Sequence, residues 1–245
     1  MKFDFKNKNI LITGGSRGIG KFLAKEFIKN NVKSLVITGS RAEIPDWVGD
    51  FNNISYSILD QSSESFPKNL IKQIKKFQQI DVLINNAGIN RIDEINNLKS
   101  SDLNDILNVN LKNTLILTSE ITKLMIDNNY GRIVNIASIF GTISREKRVA
   151  YSASKSGLIG ATKAIALDLA KYNITANTVS PGFFDTELTR SILSTDEIDS
   201  LVKIIPKKTL GDLSELARLV MYLSSSENRY LTGQDIIIDG GYSIG

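Results

Sequence analysis

The sequence predicts an α/β fold, a single doubly wound parallel sheet of about seven strands with helices on both faces. Three observations carry that expectation. Short apolar, β-branched runs alternate with longer stretches of helical period along the whole 245-residue chain. The runs are apolar on both faces, as a sheet covered on both sides requires. A glycine-rich turn joins the first run to the first helical stretch, as a strand-to-helix connection in such a fold demands.

In chain order, the strands are expected at Ile10–Ile12, Leu35–Ile37, Ile54–Ile58, Val82–Ile84, Ile133–Ile136, Ile174–Val179 and Ile236–Ile238. The intervening helices are expected at Ile19–Asn30, Phe66–Lys76, Ser101–Asp127, Tyr151–Lys171 and Leu213–Ser224. No proline-rich linker or internal repeat divides the chain, so residues 1–245 read as one domain. Segment 185–208 is polar and helical in period, and lies between two strong elements. It reads either as a cover over a substrate site or as a helical insertion on the surface.

Composition removes whole classes of chemistry. The chain has no cysteine and no histidine. That excludes disulfides, thiolate nucleophiles and a Ser-His-Asp triad, and leaves no ordinary zinc ligand set. No metal site is expected, and proton transfer near neutral pH falls to Tyr, Lys, Asp or Glu. The net charge of +4 comes from basic residues scattered among acids, which gives no reason to expect nucleic acid. No apolar run approaches the ~20 residues of a membrane span. Residues Met1–Asn9 lack the apolar core of a secretory signal, so a cytoplasmic location is the default expectation.

The turn Thr13-Gly14-Gly15-Ser16-Arg17-Gly18-Ile19-Gly20 follows the first strand and opens the first helix. Glycines let the backbone approach a pyrophosphate without a Cβ collision, and the helix start offers free N–H groups and a positive dipole end. The strand–turn–helix setting makes this a dinucleotide-binding (Rossmann) turn rather than a merely tight loop. An NAD site of this kind usually ends its second strand with Asp or Glu on the ribose 2′-hydroxyl. Here that strand ends Thr38-Gly39-Ser40-Arg41, with no acid. Arg17, Ser40 and Arg41 would instead suit a 2′-phosphate, which favours NADP(H) over NAD(H).

Tyr151-Ser152-Ala153-Ser154-Lys155 lies at the start of an expected helix. Residues four apart share a helical face, so phenol and ammonium point into one space, and the ammonium should lower the tyrosine pKa. That pair supplies a proton donor without histidine. Ser138 closes the strand ending at Ala137, at the carboxyl end where such sheets bind ligands. Its hydroxyl serves either as a donor to a substrate oxygen or as a loop cap. Asn110 is a polar residue in an otherwise amphipathic helix, which marks a kink or a buried hydrogen-bonding group.

These segments, with Asn85-Asn86-Ala87-Gly88 after the fourth strand and Pro181-Gly182 after the sixth, stand in the order and approximate spacing of one family. From Lys8 to Gly241 the chain resembles the short-chain dehydrogenase/reductase family. The resemblance implies an NADPH-dependent carbonyl reductase or alcohol dehydrogenase. In that reading Tyr151 is the acid/base, Ser138 orients the carbonyl, Lys155 binds ribose and tunes Tyr151, and Asn110 completes a proton relay through a water. It implies a cofactor site of Gly14, Ser16, Arg17, Gly18, Ile19, Gly20, Ser40, Arg41, Asp60, Gln61, Asn86, Ala87, Gly88, Tyr151, Lys155, Pro181, Gly182, Phe184 and Thr186. Asp60 would hold the adenine amino group, or simply cap the turn before Ser62.

Within the family, the chain is most similar to the 3-oxoacyl-[acyl-carrier-protein] reductases, through Gly131-Arg132-Ile133, Ala153-Ser154-Lys155-Ser156-Gly157 and Pro181-Gly182-Phe183. NADP-dependent sugar or polyol dehydrogenases share nearly the same segments and are the alternative reading; a non-catalytic nucleotide sensor is the second. Those reductases often grip their carrier protein with two arginines. Arg132 matches one, but Tyr172, beside Lys171, stands where the other falls. The basic run Arg145-Glu146-Lys147-Arg148 just before Tyr151 is either an exposed charged loop or an attractor for an anionic substrate. The family also implies a homotetramer built on the helices Ser101–Asp127 and Tyr151–Lys171.

Overall fold

Alternation along the strands builds two cores at once. In the computed structural model, which describes residues 3–74, 77–186, 189–190 and 194–245, Ile10 and Ile12 face one side of the sheet while Leu11 faces the other. The strands are β1 (Asn9–Ile12), β2 (Ser34–Gly39), β3 (Ile54–Ile58), β4 (Val82–Asn85), β5 (Gly131–Ile136), β6 (Ile174–Pro181) and β7 (Asp235–Ile238). They form one seven-stranded sheet in the order β3-β2-β1-β4-β5-β6-β7, parallel throughout. The fold class, strand count and strand positions match the expectation from sequence.

On one face Ile10, Ile12, Ile37, Val82 and Ile84 pack with Leu23 and Phe27 of α1 (Gly18–Lys29) and Leu216 and Val220 of a late helix, Leu213–Ser224. On the other, Leu11, Val36, Leu83 and Ile133 meet Phe66 and Leu70 of α2 (Phe66–Ile74) and Leu117 and Ile121 of a longer helix, Asn113–Asp127. Truncating one of these fully buried residues, such as Leu83→Ala, should cost about 2–5 kcal/mol. Lys75 and Lys76, the end of the expected second helix, lie outside the described residues.

The expected single helix Ser101–Asp127 is interrupted. It divides into α3 (Ser100–Leu107), a π turn over Asn108–Lys112, and α4 (Asn113–Asp127). Side chains hold the break open: Gln61 Nε2 and Thr114 Oγ1 both donate to the Val109 carbonyl, at 3.2 and 3.0 Å. Asn113 Nδ2 returns a bond to the Gln61 carbonyl at 2.7 Å. Periodicity sees only apolar spacing, and one extra residue in a turn barely disturbs it.

The next helix, α5 (Val149–Leu169), starts two residues earlier than expected and tightens into a 3₁₀ turn, Ala170–Tyr172. Asn173 then reverses the chain with a left-handed φ of 56°. Segment 185–208 contributes α6 (Thr195–Ile204), started by a reciprocal Ser194/Glu197 capping box and anchored by buried Leu201. Residues 187, 188 and 191–193 of that segment lie outside the described residues. The last helix is α7 (Leu213–Ser224), capped by Asp212. Among the described residues, no helix is long and apolar enough to cross a membrane.

Candidate active site

The order of the sheet reverses between β1 and β4, because β2 and β3 run out on one side and β5 to β7 on the other. A crevice at the carboxyl ends of the strands follows from that reversal. The turns after β1 and β4 line it and are tied together. Thr13 Oγ1 accepts from the Asn86 and Ala87 main-chain N–H groups, both at 3.0 Å. Asn86 Nδ2 donates to the Thr13 and Gly14 carbonyls, also at 3.0 Å. Gly14 has a φ of 63°, and a Cβ there would lie 2.9 Å from the Ala87 Cα, so both its conformation and its neighbour demand glycine.

Gly18 differs: its φ is 55°, but a Cβ there would meet nothing within 4 Å. It stands at the start of α1 beside open space. Arg17 caps that helix without any side-chain bond to the first-turn N–H groups, leaving them available to an anion. Arg17, Ser40 and Arg41 are all exposed, and neither arginine enters an ion pair among the described residues. The donor set therefore fits a dinucleotide with an extra phosphate, and no carboxylate stands at the end of β2 to repel one. Sequence reasoning missed two supports. Tyr56 donates to the Arg41 carbonyl at 2.7 Å and passes over Gly39, where any Cβ would strike its phenol. Trp47 Nε1 donates to the Ser16 carbonyl at 3.3 Å.

Deeper in the crevice, four elements converge. Lys155, in the second turn of α5, is 4% exposed. Its Nζ donates to the Ile136 carbonyl at 2.8 Å and lies 5.7 Å from the Tyr151 ring centre. A Cβ on Gly88 would sit 3.5 Å from both this Nζ and Asn110 Oδ1, so Gly88, Asn110 and Lys155 surround one small space. Ser138 caps a 3₁₀ turn, Ile139–Gly141, accepting from the Phe140 N–H at 3.2 Å, and stands close enough to the Tyr151 phenol to pull its pKa down. Of its two sequence-level readings, the cap is the one seen in the fold.

Electrostatics here departs from the expectation. Burial pushes the Tyr151 phenol above its ordinary value, while Ser138 and the Arg148 charge pull weakly the other way. Lysine was expected to lower it. Burial instead draws Lys155 itself down to about 8, and its proton is committed to the Ile136 carbonyl. A phenol that stays protonated is a proton donor, not a base, at neutral pH.

Asn110 is buried in the π turn. Its Oδ1 accepts from the Ile89 N–H at 2.8 Å, and its Nδ2 donates to the Ile89 carbonyl at 2.9 Å and to Ser154 Oγ at 3.0 Å. Ser154 in turn donates to the Tyr151 carbonyl at 2.7 Å. The asparagine thus clamps the loop after β4 to the helix bearing Tyr151 and Lys155. Below it, Asn85, Asn135, Thr118 and Thr162 form a buried polar ladder joining β4, β5, α4 and α5.

Several expected site residues have side-chain partners within the chain. The Gln61 side chain is buried and staples the π turn, so it does not line the crevice. Phe184 is 5% exposed and belongs to the core, its ring against Gly211. Thr186 bonds Thr189, at 2.9 Å between hydroxyls. Asp60 accepts from the Ser62 N–H and hydroxyl, at 2.9 and 2.7 Å, the capping role weighed for it. Pro181 and Gly182 sit at the carboxyl end of β6, where a Cβ on Gly182 would lie 2.6 Å from Asp239 Cβ. Arg132 is a correction: it is 2% exposed at the amino end of β5, bonded to the Gly131, Asn173 and Ser225 carbonyls. It cannot grip another protein.

The family model for short chain dehydrogenase matches residues 8–197. Curated relatives include the 3-oxoacyl-[acyl-carrier-protein] reductase of Rickettsia bellii, 35% identical over 97% of this chain and 98% of its own length. That of Escherichia coli is 33% identical with the same coverage. Among solved structures, a gluconate 5-dehydrogenase from Burkholderia cenocepacia, in complex with NADP and tartrate, superposes with a TM-score of 0.91 at 27% identity. It covers 100% of this chain and 98% of that one. ElxO with NADP bound gives a TM-score of 0.88 at 36% identity, covering 96% and 98%. With the glycine turn, the Asn86 tie, Ser138, Tyr151 and Lys155 all in register along one crevice, this chain belongs to the short-chain dehydrogenase family.

Proposed function

We propose that the protein is an NADPH-dependent carbonyl reductase acting on 3-oxoacyl groups, with Tyr151 as proton donor. The observation that carries this reading is the convergence of Ser138, Tyr151, Lys155 and Asn110 around one buried space at the carboxyl edge of the sheet. The α1 N-terminus would receive the pyrophosphate, and Arg17, Ser40 and Arg41 the 2′-phosphate. When bound, NADPH supplies the hydride. Tyr151 gives its proton to the carbonyl oxygen, so that ketone becomes alcohol. Ser138 donates to the same oxygen while negative charge grows there. Lys155, cationic below about pH 8, holds the ribose and stabilises the phenolate left behind.

The kinship to 3-oxoacyl-[acyl-carrier-protein] reductases supports the substrate, and the complete Ser/Tyr/Lys/Asn set argues against a non-catalytic sensor. A keto-sugar or polyol substrate is the second reading, favoured by the close superposition on gluconate 5-dehydrogenase. Docking of a carrier protein would have to proceed without Arg132. Segment 185–208 would cover the substrate, since it borders a cavity of about 530 Å³ between Phe22, the Asp185–Arg190 pair and residues 210–213. The outer face of α5 carries exposed Ala153, Gly160, Ala164 and Leu167, a shallow strip that suits pairing with another copy in a homotetramer. Light scattering showing a monomer would remove that assembly.

The test is NADPH oxidation followed at 340 nm with acetoacetyl thioesters and with a panel of keto sugars. Turnover of the thioester alone supports the first reading, and of the sugars alone the second. No turnover of either class defeats both.

A further inference from the structure

Arg148 is the residue in the crevice region whose chemistry is unaccounted for. It is the N-cap residue of α5, three positions before Tyr151, and its side chain is half-buried. Its Nε and Nη1 are buried, and among the described residues neither has a hydrogen-bond partner. A guanidinium is never deprotonated at working pH, so two buried donors without acceptors carry a standing free-energy cost. The rest of the basic run is different. Lys147 pairs with Glu94 at 3.4 Å across the surface, and Arg145 and Glu146 are exposed. Arg148 alone turns inward.

Its surroundings point the same way. The guanidinium carbon lies 5.9 Å from the centre of the Phe140 ring, and Phe140 follows Ser138 by two residues. Phe140 meets Phe183 edge-on at 6.1 Å, and Phe183 meets Tyr242 edge-on at 5.1 Å. An aromatic wall thus runs from the guanidinium to the turn after β6. The Arg148 charge also reaches the Tyr151 phenol and favours its ionised form. An arginine laid over an aromatic face keeps its in-plane donors free for a carboxylate.

We propose that Arg148 is the anion-binding subsite for substrate, taking a carboxylate carried within a few bonds of the carbonyl that Tyr151 protonates. This rests on the carbonyl-reductase chemistry of that reading alone, and puts a free short oxo acid in place of a thioester-linked oxoacyl group. The carboxylate would accept from Nε and Nη1, relieving the two orphaned donors, and would place the oxo carbon between Ser138 and Tyr151.

The probes are acetoacetate and methyl acetoacetate, which share the oxo carbon and differ in one charge. With wild-type enzyme and NADPH, kcat/KM should favour acetoacetate. Arg148→Gln should lower kcat/KM for acetoacetate by roughly 10–100-fold and leave the ester within about threefold, with Arg148→Lys between. Equal losses on both substrates would make Arg148 a support for Tyr151 and overturn the proposal. Calorimetric titration of acetoacetate into the NADP-saturated Tyr151→Phe variant reads binding without turnover. Binding there, lost in Tyr151→Phe/Arg148→Gln, upholds the subsite even if no carbonyl is reduced, an outcome that would sink only the reductase reading. Absence of binding, or binding indifferent to Arg148, overturns the subsite.

Discussion

Two arginines with buried donor groups, at opposite edges of the same sheet, have opposite fates. At the amino edge, Arg132 donates to three main-chain carbonyls, and nearby Asp81 accepts from Asn9 and Gln79, so every charge there is answered from within. At the carboxyl edge, Arg148 keeps two donors unanswered, Lys155 spends one of its three on Ile136, and desolvation holds the Tyr151 phenol above its ordinary pKa. Polar groups at the first edge hold the molecule together. Those at the second keep donors that the chain itself does not use.

That contrast can be broken by substitution, and the largest expected effect is at Tyr151. Tyr151→Phe should reduce kcat by about 10²–10⁴-fold, while NADPH affinity, read by fluorescence titration, stays near wild type. Next comes the amino edge. Arg132→Ala removes the guanidinium donors from three main-chain carbonyls, of which Asn173 keeps the Gly131 N–H, and should cost about 3 kcal/mol in urea unfolding, with activity per folded molecule unchanged. Loss of activity without loss of stability would reverse the roles of the two edges.

Lys155 sharpens the comparison further. Its folded pKa of about 8 lies below the free value of 10.5, so the unfolded chain binds more protons between those limits, and stability should rise with pH across that window. Below about pH 8 the ammonium is carried at a cost of roughly 3 kcal/mol, at ~1.4 kcal/mol per pH unit. Lys155→Met should therefore gain up to that much stability at pH 7 while losing turnover, a trade visible in thermal melts. For the raised Tyr151, reduction should hold through neutral pH and fall only as the solution becomes alkaline; oxidation of the alcohol should show the inverse profile. The smallest effect is at the surface. Arg17→Ala with Arg41→Ala should raise KM for NADPH by about tenfold and leave NADH nearly untouched, since each exposed contact is worth ~1 kcal/mol or less.

The sheet was legible because strands buried on both faces must be apolar, and Ile10, Leu35, Val82 and Ile133 announce themselves. The glycine turn and the Tyr151/Lys155 pair were legible because their spacing is local. What escaped was decided across distance. Gln61 reaches Val109 and Thr114 to open a π turn, Tyr56 crosses Gly39 to hold the Arg41 loop, and Arg132 finds carbonyls from two distant segments, at Asn173 and Ser225. No pattern within a few residues records such partners. The sign of the Tyr151 shift escaped for a related reason, because burial is a property of the packed molecule while the lysine four residues on is a property of the chain.

The tie between Thr13, Gly14 and Asn86 fixes the floor on which a nucleotide would rest before any arrives. Little ordering entropy is then left to be lost at the phosphate end on association. Amide exchange in this floor should slow only modestly when cofactor is added, so that selectivity between dinucleotides is settled by the arginine fringe rather than by any closing of the seat beneath it.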